Sequence, residues 1–140
     1  MNVLYTAEAL STGAGRDGKV TTSDSSFQLD LAIPKEMGGS GAGTNPEQLF
    51  AAGYAACFHS ALQAVARSQK VTIADSAVGS RVQISPNNEG GYQLGVLLEV
   101  TLPGIDAAQA QALTDAAHQV CPYSNATRGN IDVTITVSED

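Results

Sequence analysis

The chain has 140 residues, 43% of them hydrophobic and 15% charged, which fits one folded domain spanning 1–140 with a real core. Fourteen acidic residues against seven basic ones leave a net charge of -7, which argues against a nucleic-acid-binding face and against attraction to anionic membranes. MNVLYTAEAL lacks the basic region and apolar run of a signal peptide, and no stretch reaches the roughly 18 uninterrupted apolar residues of a membrane span. A cytoplasmic location is therefore expected, where two cysteines are reactive more often than stapling.

Residues 2–12 (NVLYTAEALST) read as a strand, GAGRDGK as a turn, and VTTSD and SFQLDLAI as further β structure. DGK between alternating segments is a hairpin signal. PKEMGGSGAGT, 34–44, is Gly-rich; no βαβ unit surrounds it, so it reads as a flexible connection rather than a phosphate cradle.

A helix then starts at a definable point. Asn45 precedes Pro46, is pushed out of the α region and suits the N-cap. Pro46 takes the first helical position, and Gln48 stands where a capping box needs it. The helix is expected to run to about Gln69. From Leu49 to Phe58 it is apolar almost all round, the pattern of a buried helix. A chain this short has few elements with which to surround it, so a tight dimer is expected, with Gly53 permitting close approach.

AVGSRVQISP (77–86) and YQLGVLLEVTL (92–102) read as strands joined by the turn NNEGG. Residues 105–120 form an amphipathic helix with Leu113, Ala117 and Val120 on one side, stopped by Pro122 after Cys121. CPYSNATRGN is turn-rich, and IDVTITV is a closing strand. The order predicts an α+β fold: antiparallel sheets around a buried central helix.

Cys57-x-His59 and His118-x-x-Cys121 together look like a zinc ligand set. Residues two apart on a helix point about 200° apart, so Cys57 and His59 cannot chelate together, and His118 with Cys121 supplies only two ligands. His59 reads as a surface or satisfied histidine. His118, near a helix C-terminus, is accounted for by the macrodipole. No metal site is expected.

Cys57 is either a packing thiol or a nucleophile. A free thiol near pKa 8.5 is only slightly ionised at neutral pH, and apolar burial raises the value further. The residue lies about three turns into its helix, beyond the reach of the dipole. Any activating cation must come from elsewhere. Among the seven Lys and Arg residues, Arg16 in the turn GAGRDGK is the most suggestive, and Glu47 is one carboxylate that can hold its planar fork by bidentate pairing.

GTNPEQLFAAGYAACFHSAL and VCPYSNATRGNIDVTITV closely resemble the two cysteine segments of organic hydroperoxide resistance proteins, within the wider family that includes the osmotically inducible protein C. LYTAEALSTGAGRDG resembles the N-terminal segment of the same family, so the likeness spans essentially the whole chain. It implies a thiol peroxidase that reduces alkyl and fatty-acid hydroperoxides to alcohols. By this resemblance Cys57 is the peroxidatic cysteine, Cys121 the resolving one that closes a disulfide with it, and Arg16 and Glu47 match the catalytic arginine and glutamate. The implied electron donor is dihydrolipoamide on a lipoylated protein, or another dithiol, used as a co-substrate with no bound cofactor. The implied assembly is an intertwined homodimer.

The resemblance gives the apolar surroundings of Cys57 a purpose, since an alkyl hydroperoxide wants a greasy slot with one charged end. The competing reading is a non-catalytic protein, stress-related or oxidant-sensing, whose thiols react without turnover. A general thiol–disulfide oxidoreductase would carry C-x-x-C, which is absent.

Overall fold

The computed structural model describes residues 1–139, and the contacts gather into two units, Met1–Leu49 and Phe50–Asp140. The architecture is α+β, with two three-stranded sheets.

The first unit is an antiparallel meander of β1 (Ala9–Thr12), β2 (Lys19–Thr22) and β3 (Gln28–Asp30). The β1–β2 hairpin closes through a 3-10 turn at Gly15–Asp17, inside the turn region expected from GAGRDGK. Gly18 ends that turn, and a Cβ there would stand 2.3 Å from the Thr12 carbonyl, so only glycine fits. The expected strand over 2–12 is confined to its last four residues. Residues 1–8 belong to no strand, with Val3, Leu4 and Tyr5 exposed.

Residues 34–44 are more ordered than a flexible connection. After a 3-10 turn at Lys35–Met37 the loop folds back, with Gly41 N–H donating to the Ile33 carbonyl and Ala32 N–H to Thr44. A Cβ at Gly39 would lie 2.1 Å from the Ile33 carbonyl oxygen, so this glycine serves close approach.

Helix α1 (Pro46–Ser68) begins as the sequence dictates, with the Asn45 side chain accepting the Gln48 N–H at 2.9 Å. By length and composition alone it could cross a membrane, but its stripe of Tyr54, Phe58, Ala61, Leu62 and Val65 joins a hydrophobic core instead. Among the described residues, the buried positions of α1 all fall on that stripe and the adjoining Ala66. Ala52 and Ala56 are exposed and Leu49, Phe50 and Cys57 half-buried, so burial all round is not met by the elements of a single chain. Within the chain, the Tyr123 ring lies over Gly53.

In the second unit β4 (Ala77–Pro86) and β5 (Tyr92–Thr101) form a long antiparallel hairpin. Asn87 accepts N–H groups from Glu89 and Gly91 inside the turn. The β5 residues Val96, Leu98 and Val100 are buried with Leu113 and Ala117 of α2 (Ala107–Val120), whose N-cap Asp106 accepts the Gln109 N–H. Val120 is 54% exposed and does not share that face. Two further expectations are corrected. The segment after Cys121 is not merely turns but a helix, α3 (Pro122–Thr127), with proline in its first turn. The last strand, β6 (Val133–Ser138), pairs parallel to β5, so this sheet is mixed. Two intervening helices carry the chain back across the sheet, which permits a parallel return.

Candidate active site: a guanidinium–carboxylate pair and two thiols

Arg16 sits in the Gly15–Asp17 turn, and Asp17 fixes that turn by accepting the Ile33 N–H at 2.9 Å. Glu47 occupies the first turn of α1. Their side chains meet in a bidentate pair, Nη1 to Oε2 and Nη2 to Oε1, both 2.7 Å. Two parallel charge-assisted bonds fix the plane of the guanidinium as well as its position. Hydrogen bonding to Arg16 holds the Glu47 carboxyl below the usual carboxylate range, against a smaller opposing effect of burial.

In the second unit, Cys57 projects from the middle of α1, half-buried. Cys121 is the single extended residue between α2 and α3 and is fully buried. The two sulfurs stand 3.5 Å apart as free thiols. The Cys121 sulfur also accepts the Ser124 N–H at 3.5 Å. Burial pushes the Cys57 thiol above its ordinary value and Cys121 adds to this, while a backbone hydrogen bond from Tyr123 opposes it. An aromatic group stands beside the thiols: Tyr123 lies 5.7 Å from Tyr54 and 6.1 Å from Phe50, centroid to centroid.

A family model described as OsmC-like protein matches residues 38–136. The chain is 53% identical to the organic hydroperoxide resistance protein of Xanthomonas axonopodis pv. citri, over 97% of this chain and 96% of that one. It belongs to the OsmC-like family, in the organic hydroperoxide resistance branch. The Bacillus subtilis member OhrA is 48% identical over 97% of each chain. Among solved structures, the organic hydroperoxide resistance protein of Elizabethkingia anophelis superposes with a TM-score of 0.96 at 46% identity, covering 100% of both chains.

This OsmC-like chain brings together, pair by pair, the four residues singled out in its sequence: Arg16 with Glu47, and Cys57 with Cys121. His59 is satisfied by Ser76, 2.9 Å away. Among the described residues no three His, Cys, Asp or Glu side chains stand close enough to hold a metal ion. His118 is not explained by the helix dipole, which favours a charged ring. Burial, and then the Arg128 guanidinium, lower its pKa. Its Nδ1 instead meets Ser124 Oγ at 2.8 Å. Ser124 Oγ in turn meets Tyr54 Oη at 2.9 Å, and Tyr54 Oη meets Thr127 Oγ1 at 3.0 Å. Sequence reading missed this buried polar cluster. The only local signal was the run of small hydroxyl residues after Pro122, which looks like turn chemistry.

Proposed function

We propose that the protein is a thiol peroxidase that reduces organic hydroperoxides to alcohols and is recycled by a dithiol in the cytoplasm. The observation that carries this reading is the contact of two free thiols, one half-exposed and one buried, 3.5 Å apart. The names of the relatives support the same substrate class. In this reading the Cys57 thiolate attacks the outer peroxide oxygen and the O–O bond breaks. The alkoxide leaves and takes a proton to become the alcohol, and Cys57 becomes a sulfenic acid. Cys121 then attacks that sulfur. The S–S bond forms, the S–O bond breaks, and hydroxide leaves with the thiol proton as water. A dithiol such as dihydrolipoamide restores both thiols by exchange and is itself oxidised to its disulfide.

Arg16 is assigned the cation that offsets the burial of Cys57 and meets the developing alkoxide, with Glu47 as its clamp. A homodimer is part of the proposal. Its support is the half-exposed apolar face of α1 and the unpaired, exposed Val3, Leu4 and Tyr5.

The test is turnover of cumene hydroperoxide and hydrogen peroxide side by side, each with dihydrolipoamide and with thioredoxin. Many equivalents of cumene hydroperoxide consumed per protein with dihydrolipoamide is the expected result. Each buried methylene contributes about 0.8 kcal/mol, so burying two or three carbons favours the organic peroxide more than about tenfold in kcat/KM. Consumption that stops at one equivalent with every donor would mark a stoichiometric sensor.

A further inference from the structure

The cluster beneath Cys121 has one proton order that satisfies every contact. Thr127 donates its only hydroxyl proton to the Ser124 carbonyl at 3.2 Å. Tyr54 must then donate to Thr127, and Ser124 to Tyr54. The Ser124 oxygen is left to accept, so His118 is the donor through Nδ1–H. The chain runs His118 to Ser124 to Tyr54 to Thr127 and ends on the Ser124 backbone.

Its geometry concerns the thiols directly. Cys121 is a one-residue break between α2 and α3, and such a corner can pivot unless something outside it sets the angle. His118 ties α2 to Ser124 of α3, and Tyr54 ties α3 to α1. Tyr54 stands three residues before Cys57, on the adjoining turn of the same helix. Ser124 is the hub, because its hydroxyl joins the chain while its N–H reaches the Cys121 sulfur. Arg128 Nη2 also bonds the His118 carbonyl, fastening the end of α2 to the residue after α3.

We propose that His118, acting through Ser124 and Tyr54, is a positioning residue for the resolving thiol: the hydrogen-bond chain holds the α2–α3 corner where Cys121 can close on Cys57. Closure needs the sulfurs to move from 3.5 Å to about 2.05 Å, a step that a loosened corner makes rare. The inference rests on the peroxidase reading for its place in catalysis, but the positioning itself does not need peroxide.

Wild type, His118→Leu, His118→Asn and Tyr54→Phe are compared in rapid-quench reactions with one equivalent of cumene hydroperoxide. The oxidation state of each cysteine is read by mass spectrometry. In His118→Leu the first oxidation of Cys57 keeps its rate, while disulfide closure slows about tenfold, the effect of losing one buried hydrogen bond, and sulfinic acid accumulates on Cys57. Asparagine can place an N–H near the site of Nδ1, so His118→Asn restores closure. Tyr54→Phe, which removes only a hydroxyl, slows closure as leucine does. Closure at the wild-type rate in His118→Leu and Tyr54→Phe, or failure of asparagine to restore it, overturns the proposal. The same proteins are equilibrated with reduced and oxidised glutathione without peroxide, where His118→Leu should hold the disulfide about tenfold less readily. A shifted glutathione equilibrium in a protein that consumes no peroxide would sink the peroxidase reading and leave the positioning role standing. An unshifted equilibrium overturns the positioning role itself.

Discussion

The sulfurs of Cys57 and Cys121 lie 3.5 Å apart although they are 64 positions apart in sequence, and of the two only Cys57 is open to solvent. The proposed mechanism rests different roles on this asymmetry. Cys57→Ser should abolish peroxidase activity. Cys121→Ser should still react once and then accumulate sulfinic acid or mixed disulfides, because the sulfenic acid has lost its partner. Intact-mass measurement after one and ten equivalents of cumene hydroperoxide checks this, and equal residual turnover in both variants would refute it.

Burial pushes the Cys57 thiol up, so reactivity at neutral pH depends on a cation that offsets it. Arg16→Ala should move the midpoint of iodoacetamide alkylation of Cys57 to higher pH. Each pKa unit corresponds to about 1.4 kcal/mol of lost thiolate stabilisation and about tenfold less thiolate at neutral pH. An unchanged alkylation profile would reassign the cation, with Arg128 the next residue to vary.

The Arg16–Glu47 pair also makes a pH-dependent contribution to stability. Glu47 is depressed in the folded protein, chiefly by hydrogen bonding to Arg16, so its contribution is complete above the ordinary glutamate value and is lost as pH falls through the depressed one. Arg16 is partly open to solvent, which screens the pair to about 1 kcal/mol. Glu47→Gln should therefore lower stability by about that amount at pH 7 and leave it nearly unchanged at pH 3. Urea unfolding at the two pH values measures the difference, and an equal loss at both would show that the carboxylate charge is not the source.

Gly53 offers a separation of activity from stability. A Cβ there would stand 2.8 Å from Tyr123 Oη and 3.2 Å from its ring. The obstacle is the free end of a partly exposed side chain, so the ring can swing aside while the helix gains up to about 1 kcal/mol of propensity. Gly53→Ala should keep wild-type stability within about 1 kcal/mol, yet change kcat/KM for bulky hydroperoxides, because Tyr123 also places a backbone hydrogen bond on Cys57. Thermal melts and kinetics with cumene and tert-butyl hydroperoxide test both halves. A large loss of stability would show the ring to be fixed.

The parts of this fold legible in the sequence were those set by local chemistry. Asn45-Pro46 places the start of α1, and alternation places the β4–β5 hairpin to within a residue at its far end. Pairing direction was not legible for β6, because it depends on how α2 and α3 route the chain back to the sheet. Helix α3 was masked by Pro122, Ser124 and Asn125, residues that cap helices as readily as they make turns. The Arg16–Glu47 pair could be anticipated because a planar guanidinium is best fixed by a bidentate carboxylate and both residues match the family pattern. The cluster of His118, Ser124, Tyr54 and Thr127 could not, since its central bond joins residues 70 positions apart.

Glu47 and Cys57 stand ten positions apart on α1, about 15 Å of rise at 1.5 Å per residue and about 80° of separation around the axis. A glutamate reaches only a few ångströms, so a Glu47–Arg16–Cys57 chain drawn along one helix is stretched. Two copies of α1 packed in opposite directions across a two-fold axis would bring Glu47 of one subunit toward Cys57 of the other, and each isologous site would need both chains. The half-exposed apolar face of α1, with Ala52 and Ala56 open, is a surface for that packing. Inactive Glu47→Ala co-expressed with inactive Cys57→Ser should then recover one working site per heterodimer, close to half the wild-type kcat per dimer. Tandem affinity tags isolate the heterodimer, and the activity of that fraction decides the matter. A purified heterodimer with no activity would place each Glu47 with the Cys57 of its own chain.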